Sequence, residues 1–184
     1  MKKFPIILIV AVVLLLKAHG TSLAYNQASG SSAVLVSPIM VKPMDNRAQI
    51  LRDYLNMQGS PLADSAQTFV DSADRYNLDW KLVASIAGLE STYGKHTPAG
   101  SYNGWGWGYS NGTVKHFDSW DEAIEEISKG IRQNYLKDNL ESDPYMIGPT
   151  YAASPTWATR VTYFMNQIDA YKSRNAKSTL ALAL

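Results

Sequence analysis

The sequence predicts an all-α domain interrupted by one long aromatic loop. Apolar residues recur at spacings of three and four in successive stretches, and cap or stop residues stand at the ends of those stretches. The one long segment with neither pattern, 95–117, is built of Gly, Asn, Ser and aromatic residues. Such alternation of helical runs and turn signals, with no run of alternating strand character, is what a helix-on-helix core produces.

The elements follow in order. Asp45 can cap a first helix, 46–57, in which Ile50, Leu51, Tyr54 and Leu55 share one face, and Gly59 ends it. Ser60-Pro61 opens a second helix by pairing an N-cap serine with proline at the first helical position. Phe69, Val70 and Ala73 face inward there, with Tyr76 near the end. Asp79 caps a third helix, 80–93, and Gly94 offers the left-handed residue wanted at its C-terminus. The loop 95–117 follows, with room for a short hairpin. Ser119 and Glu122 make a capping box for a fourth helix, 120–136, with Ile124, Ile127 and Ile131 inward. After Asp143-Pro144 comes a short segment around Met146 and Ile147. Thr156 then opens a last helix through Val161, Phe164, Met165 and Ile168. The expected organisation is a helical domain over 45–172 and a flexible tail over 173–184, without internal repeats.

The N-terminus is different in kind. Lys2 and Lys3 precede 13 uninterrupted apolar residues, Phe4 to Leu16, and small residues follow at Ala18-His19-Gly20 and Ser22-Leu23-Ala24. Residues 1–24 therefore read as an export signal or a retained anchor, the apolar run being short for a membrane span, and 25–44 as a linker of Ser, Ala, Gly, Pro and Val. An exported protein is expected, secreted or held in the cell envelope, with a possible membrane tether at this end.

Composition narrows the partners. The 184 residues carry a formal charge of +1, and without the three lysines of the leader 14 basic residues face 16 acidic ones. No basic stripe remains for a phosphate backbone, so nucleic acid is not an expected partner. Aromatic residues make up 11% of the chain and charged residues only 18%, a balance that suits sugars. There is no cysteine, which excludes a thiol nucleophile. His96 and His116 lack a third donor at ligand spacing, Gly-x-Ser-x-Gly is missing, and Gly104-Trp105-Gly106 does not match a phosphate loop. Neither a metal nor a cofactor is expected, nor a second chain.

The chemistry points to Glu90. It shares helical spacing with Val83, Ile86, Ala87 and Tyr93, which predicts a carboxyl at least half buried on an apolar stripe, one turn before the helix end. Desolvation and the negative end of the helix dipole both favour its protonated form, as a donor to a glycosidic oxygen requires. The plainer alternative is a structural glutamate bonded to loop amides or to an arginine. In the loop, Tyr102-Asn103-Gly104-Trp105-Gly106-Trp107-Gly108-Tyr109 sets rings between glycines, where they can stack on pyranose faces. Trp105 and Trp107 can also alternate across a hairpin, with one of them plugging the core.

Three ordered pieces carry a resemblance. Ile86-Ala87-Gly88-Leu89-Glu90-Ser91-Thr92-Tyr93-Gly94-Lys95, then Asn103-Gly104-Trp105-Gly106-Trp107, then Phe117-Asp118-Ser119-Trp120-Asp121-Glu122-Ala123-Ile124 resemble the glucosaminidase-type, endo-β-N-acetylglucosaminidase-like branch of the lysozyme-like superfamily. Soluble lytic transglycosylases are related to it. The resemblance spans about 46–171. It implies a lysozyme-like helical fold with a glycan cleft, a peptidoglycan or related N-acetylglucosamine-containing substrate, and Glu90 as the general acid. Ser91 matches the small polar residue beside that acid, and Tyr151 the tyrosine near the acid and the departing sugar. Tyr93, Asn103, Trp105, Gly106, Trp107 and Phe117, within the matching pieces, join Ser91 as expected substrate contacts. The Gly-Leu-Met-Gln run of transglycosylases is replaced here by the Trp-Gly-Trp loop, which leaves hydrolysis and transglycosylation both open.

A second carboxylate is harder to find. Glu122 and Asp121 have duties in the first turn of the fourth helix, which leaves Asp118 as the candidate. Failing that, the N-acetyl group of the substrate can assist. A glycan-binding module without turnover is the competing reading.

Overall fold

The computed structural model describes residues 45–108 and 112–182, with side chains as far as residue 176. The expected leader and the linker before residue 45 lie outside the described residues.

Among the described residues six α-helices form a single helical domain. α1 is Arg47–Met57, and the Asp45 carboxylate accepts the Arg47 N–H at 3.1 Å. Its buried residues are the four expected ones, Ile50, Leu51, Tyr54 and Leu55, and Gly59 turns the chain out of it at φ +64°. No neighbour crowds a Cβ at Gly59, so the demand there is conformational.

The second helix begins later than the Ser60-Pro61 signal. Ser60 Oγ does accept the Leu62 N–H at 3.0 Å, but it also donates to the Tyr93 carbonyl at 2.8 Å. A tight 3₁₀ turn, Ala63–Ser65, intervenes before α2, Ala66–Arg75.

α3, Leu82–Ser91, is the central helix, and in the turn ahead of it the Asp79 carboxylate accepts the Lys81 N–H at 2.9 Å. Leu82 through Gly88 are buried without a break. A helix apolar on all sides is one surrounded by others, and α6 packs along it. Gly88 makes the close approach possible: a Cβ there would lie 2.7 Å from the Tyr93 ring and 3.1 Å from Phe164.

α4, Trp120–Gly130, starts on the capping box. Ser119 Oγ accepts the Glu122 N–H at 3.1 Å, and Glu122 returns a bond to the Asp118 N–H at 2.6 Å. The helix then widens into a π-helical continuation, Ile131–Leu136. Arg132, in that continuation, donates to the carbonyls of Tyr76 and Asn77, which the end of α2 leaves open, and to that of Asn139. α2 and α4 are also tied by Glu125, which accepts from Ser72 at 2.7 Å and Tyr76 at 2.6 Å.

α5, Pro144–Tyr151, is capped by Asp143 and packs on α6, Trp157–Leu182. The helix continues where a flexible tail from 173 was expected. Ser173 Oγ bonds the Asp169 carbonyl at 2.9 Å, and the Ala, Lys and Leu residues beyond favour helix.

The core joins Leu51 and Leu55 of α1, Phe69 of α2, Ile86 of α3, Ile124 and Ile127 of α4 and Ile168 of α6. Each such side chain fully removed from water contributes roughly 1.5–3 kcal/mol. Among the described residues the segment between α3 and α4 runs in turns without a strand, with one isolated bridge residue at Thr113. Among the described residues no helix is long and apolar enough to cross a membrane.

Candidate active site

Glu90 sits at the last turn of α3 and is exposed, which corrects the expectation that it is at least half buried. The stripe argument fails for a physical reason. On a helix surrounded on every side, depth is set by position along the axis rather than by face, and Glu90 stands where α3 leaves the core.

The carboxylate is nevertheless held. Trp157, buried in the first turn of α6, donates its indole N–H to Glu90 Oε1 at 2.8 Å. The Trp157 ring in turn lies against Tyr151, with centroids 4.8 Å apart and planes at 32°. Tyr151 continues the chain of rings to Tyr135 at 5.4 Å and to Trp107 at 6.2 Å. Its hydroxyl donates to the Trp105 carbonyl at 3.0 Å. Burial first, then the negative charge of Glu90, then Tyr135 push the Tyr151 phenol above its ordinary range, so it stays neutral.

The backbone beside Glu90 is strained. Thr92 and Tyr93 both adopt positive φ, 54° and 59°, ahead of Gly94 at 79°. The helix therefore ends at Thr92, two residues before the glycine expected to end it. Left-handed geometry at a β-branched residue costs on the order of 1–3 kcal/mol and persists only where surrounding bonds impose it. Those bonds are present: Tyr93 N–H to the Ala87 carbonyl at 2.9 Å, Gly94 N–H to Ser91 Oγ at 2.8 Å, and Tyr93 hydroxyl to Tyr54 hydroxyl at 2.8 Å.

The remaining expected site residues divide into two groups. Gly106 and Trp107 line an open groove of about 370 Å³ with Gly108, Tyr135 and Tyr151. The Trp107 ring rests on α4, where a Cβ at Gly130 would overlap it. Five others, expected as substrate contacts, are buried and engaged with the fold. Trp105 is 1% exposed and donates its indole N–H to the Val83 carbonyl at 2.8 Å, so its ring belongs to the core. Asn103 is buried, with its amide donating to the carbonyls of Trp107 and Lys115 and its oxygen accepting from the N–H groups of Trp107 and Trp105. That uses its full capacity. Ser91 is spent likewise on Ala87, Gly104 and Gly94. Tyr93 packs edge-on against Tyr54 and Phe164, and Phe117 is buried with its N–H on the Ser101 carbonyl.

Asp118 is exposed ahead of α4, and among the described residues no hydrogen bond or ring contact links it to the Glu90 cluster. Among the described residues no group of three or more His, Cys, Asp or Glu side chains is placed to hold a metal.

Two members of the cluster escaped the sequence reading, Trp157 and Tyr135. Trp157 lies 67 positions from Glu90, and nothing local marks an indole in a first helical turn as a carboxylate partner. Tyr135 was part of a helix end with no distinguishing pattern. What the cluster offers chemically is one oriented carboxyl with Oε2 accepting no bond among the described residues, beside an aromatic groove with bare backbone at Gly106 and Gly108.

No protein-family model and no curated protein matches the chain. Among solved structures it is similar to the catalytic domain of the autolysin Auto from Listeria monocytogenes, at 17% identity and a TM-score of 0.47, over 72% of this chain and 90% of that one.

Proposed function

We propose that the chain cleaves the glycan strands of peptidoglycan, at a glycosidic bond between N-acetylated amino sugars, with Glu90 giving the proton to the leaving oxygen. The observation that carries the reading is the pairing of Glu90 with Trp157 at the edge of the Trp107–Tyr135–Tyr151 groove. The ordered motifs around Glu90, Trp107 and Trp120 support it by their resemblance to glucosaminidase-type, lysozyme-like enzymes.

Each residue then has a task. Trp107 and the bare Gly106 backbone receive a sugar ring, which stacks on the indole. Trp157 fixes the Glu90 carboxyl so that its free oxygen meets the glycosidic oxygen. A glycan lying over the groove covers that carboxyl from water while it hands its proton to the leaving oxygen. Tyr151 stays a neutral phenol under the site; its proton is already given to the Trp105 carbonyl, so it positions the floor and does not donate to substrate. Among the described residues no second carboxylate joins the cluster, which favours assistance by the N-acetyl group of the substrate over a water-activating aspartate. An exported location suits such a substrate.

Incubating the purified protein with peptidoglycan and weighing the new glycan ends tests this. Added water marks hydrolysis, and an anhydro end marks transglycosylation. The exposure of Glu90 is the observation that favours a second reading, a glycan-binding module without turnover; glycan retained uncut by the wild-type protein would establish it.

A further inference from the structure

A second groove, of about 540 Å³, runs between α3 and α6 beside Glu90. Leu89 and Thr92 line it from α3, and Thr159, Arg160, Tyr163 and Phe164 from α6. Most of this wall is apolar. Tyr163 is 59% exposed there, a large ring left in water. Arg160 is exposed as well and takes part in none of the ion pairs among the described residues. The nearest acidic side chain along α3 is Glu90, and its Oε1 is held by Trp157, with no ion pair to Arg160.

Position links this groove to the acid. Trp157, Arg160 and Phe164 fall at i, i+3 and i+7 on α6 and so share one face, and three residues of helix advance about 4.5 Å. Arg160 therefore stands about one turn beyond Trp157 along α6, and Leu89 and Thr92, on either side of Glu90 in the chain, line the other wall. A chain bound at Glu90 has this groove as its immediate continuation.

We propose that the groove is an anion-accepting extension of the glycan site, in which Arg160 binds a carboxylate carried on the sugar chain while Leu89, Tyr163 and Phe164 cover its apolar neighbours. The inference rests on the glycan reading above and deepens it: the preferred substrate bears acidic appendages, and a plain N-acetylglucosamine polymer lacks the group that Arg160 receives. An arginine fork suits this task, because it meets a carboxylate with two parallel N–H bonds and stays charged at every working pH. Two sources of the carboxylate share this chemistry, the acidic groups of a peptide joined by an amide to the lactyl group of alternate sugars and, where that peptide has been removed, the freed lactyl carboxylate itself.

The test is calorimetric binding in the Glu90→Gln background, where glycan stays uncut, with Arg160 and with Arg160→Ala or Arg160→Lys added. Three soluble ligands are compared: glycan fragments with stem peptides, the same fragments after amidase has removed the peptides, and an N-acetylglucosamine oligomer. Arg160→Ala should weaken binding of carboxylate-bearing fragments about tenfold, Arg160→Lys should recover part of the loss, and the oligomer should bind equally to all. A loss confined to the intact fragments assigns the peptide carboxylates; a loss confined to the amidase-treated fragments assigns the freed lactyl carboxylate; a loss on both shows that the groove takes either. Equal losses on all three ligands, no loss on any, or no binding of any would overturn the proposal. Glycan cleavage by the wild-type protein is scored separately, so a binding result stands whether or not turnover is seen.

Discussion

The indole N–H of Trp157 donates to Glu90 Oε1 across 2.8 Å and joins the first turn of α6 to the last turn of α3. Because Trp157 is buried and also packs on Tyr151, its ring cannot drift, and one bond transmits that rigidity to an exposed carboxyl. Trp157→Phe keeps most of the packing and removes the donor. Turnover should fall roughly tenfold with glycan affinity within about a factor of two, since one hydrogen bond contributes about 0.5–1.5 kcal/mol. A steady-state comparison on soluble glycan separates kcat from KM, and an unchanged kcat would show that the bond has no part in turnover.

The two loop tryptophans should respond in opposite ways. Trp105→Ala removes a ring that is 1% exposed together with its bond to the Val83 carbonyl, and large aromatic truncations of this kind cost about 3–5 kcal/mol. Trp107→Ala opens the groove wall and should weaken glycan binding several-fold with a much smaller loss of stability. Urea unfolding and glycan affinity measured on both variants check this, and matching behaviour of the two would contradict the division.

How far the sequence could go is visible in the same loop. Alternation of Trp105 and Trp107 between glycines announces that the two rings differ in environment, but which one enters the core depends on Val83 and Phe69, far away in the chain. Short-range rules worked where the physics is short-range: the Ser119–Glu122 cap, the turn at Gly59 and the inward face of α1. Glu90 was legible as a position and illegible as an environment, because a stripe pattern cannot tell a helix with one buried face from a helix buried on all sides. The π-helical widening at Ile131–Leu136 and the strained turn at Thr92 had no sequence signal, since tertiary bonds impose both.

That strained turn gives a prediction of unusual sign. Thr92 is β-branched, at φ 54° and ψ 53°, and glycine occupies that region without penalty. Thr92→Gly should therefore raise stability by up to about 1 kcal/mol, the relief of left-handed strain exceeding the added freedom of the unfolded chain. Denaturant midpoints measure it, and a loss of stability would mean that the threonine side chain contributes more than its backbone costs.

Acid should loosen the contact between α2 and α4. Burial opposes ionisation of Glu125, but hydrogen bonds from Tyr76, Ser72 and Arg75 outweigh it and hold the carboxyl below its ordinary value of 4.5. A depressed folded value means that the contribution is present above the unfolded pKa and is lost as pH falls through the folded one. Asp74, bonded by Arg47, shifts the same way. Unfolding curves recorded from about pH 6 down to about pH 2 should show stability falling below roughly pH 4.5, and Glu125→Gln should make that fall shallower. Equal slopes in both proteins would remove Glu125 from the account.

The central claim is that Glu90 donates the proton, and Glu90→Gln tests it with little change of shape. The amide keeps an oxygen for the Trp157 N–H, so the fold and the groove should persist. Release of new glycan ends from peptidoglycan, measured for wild type and variant under the same conditions, should fall by a factor of about 100 or more in the variant while glycan affinity stays within about twofold. A Glu90→Gln protein that cuts glycan at the wild-type rate would contradict the account and place the acid elsewhere.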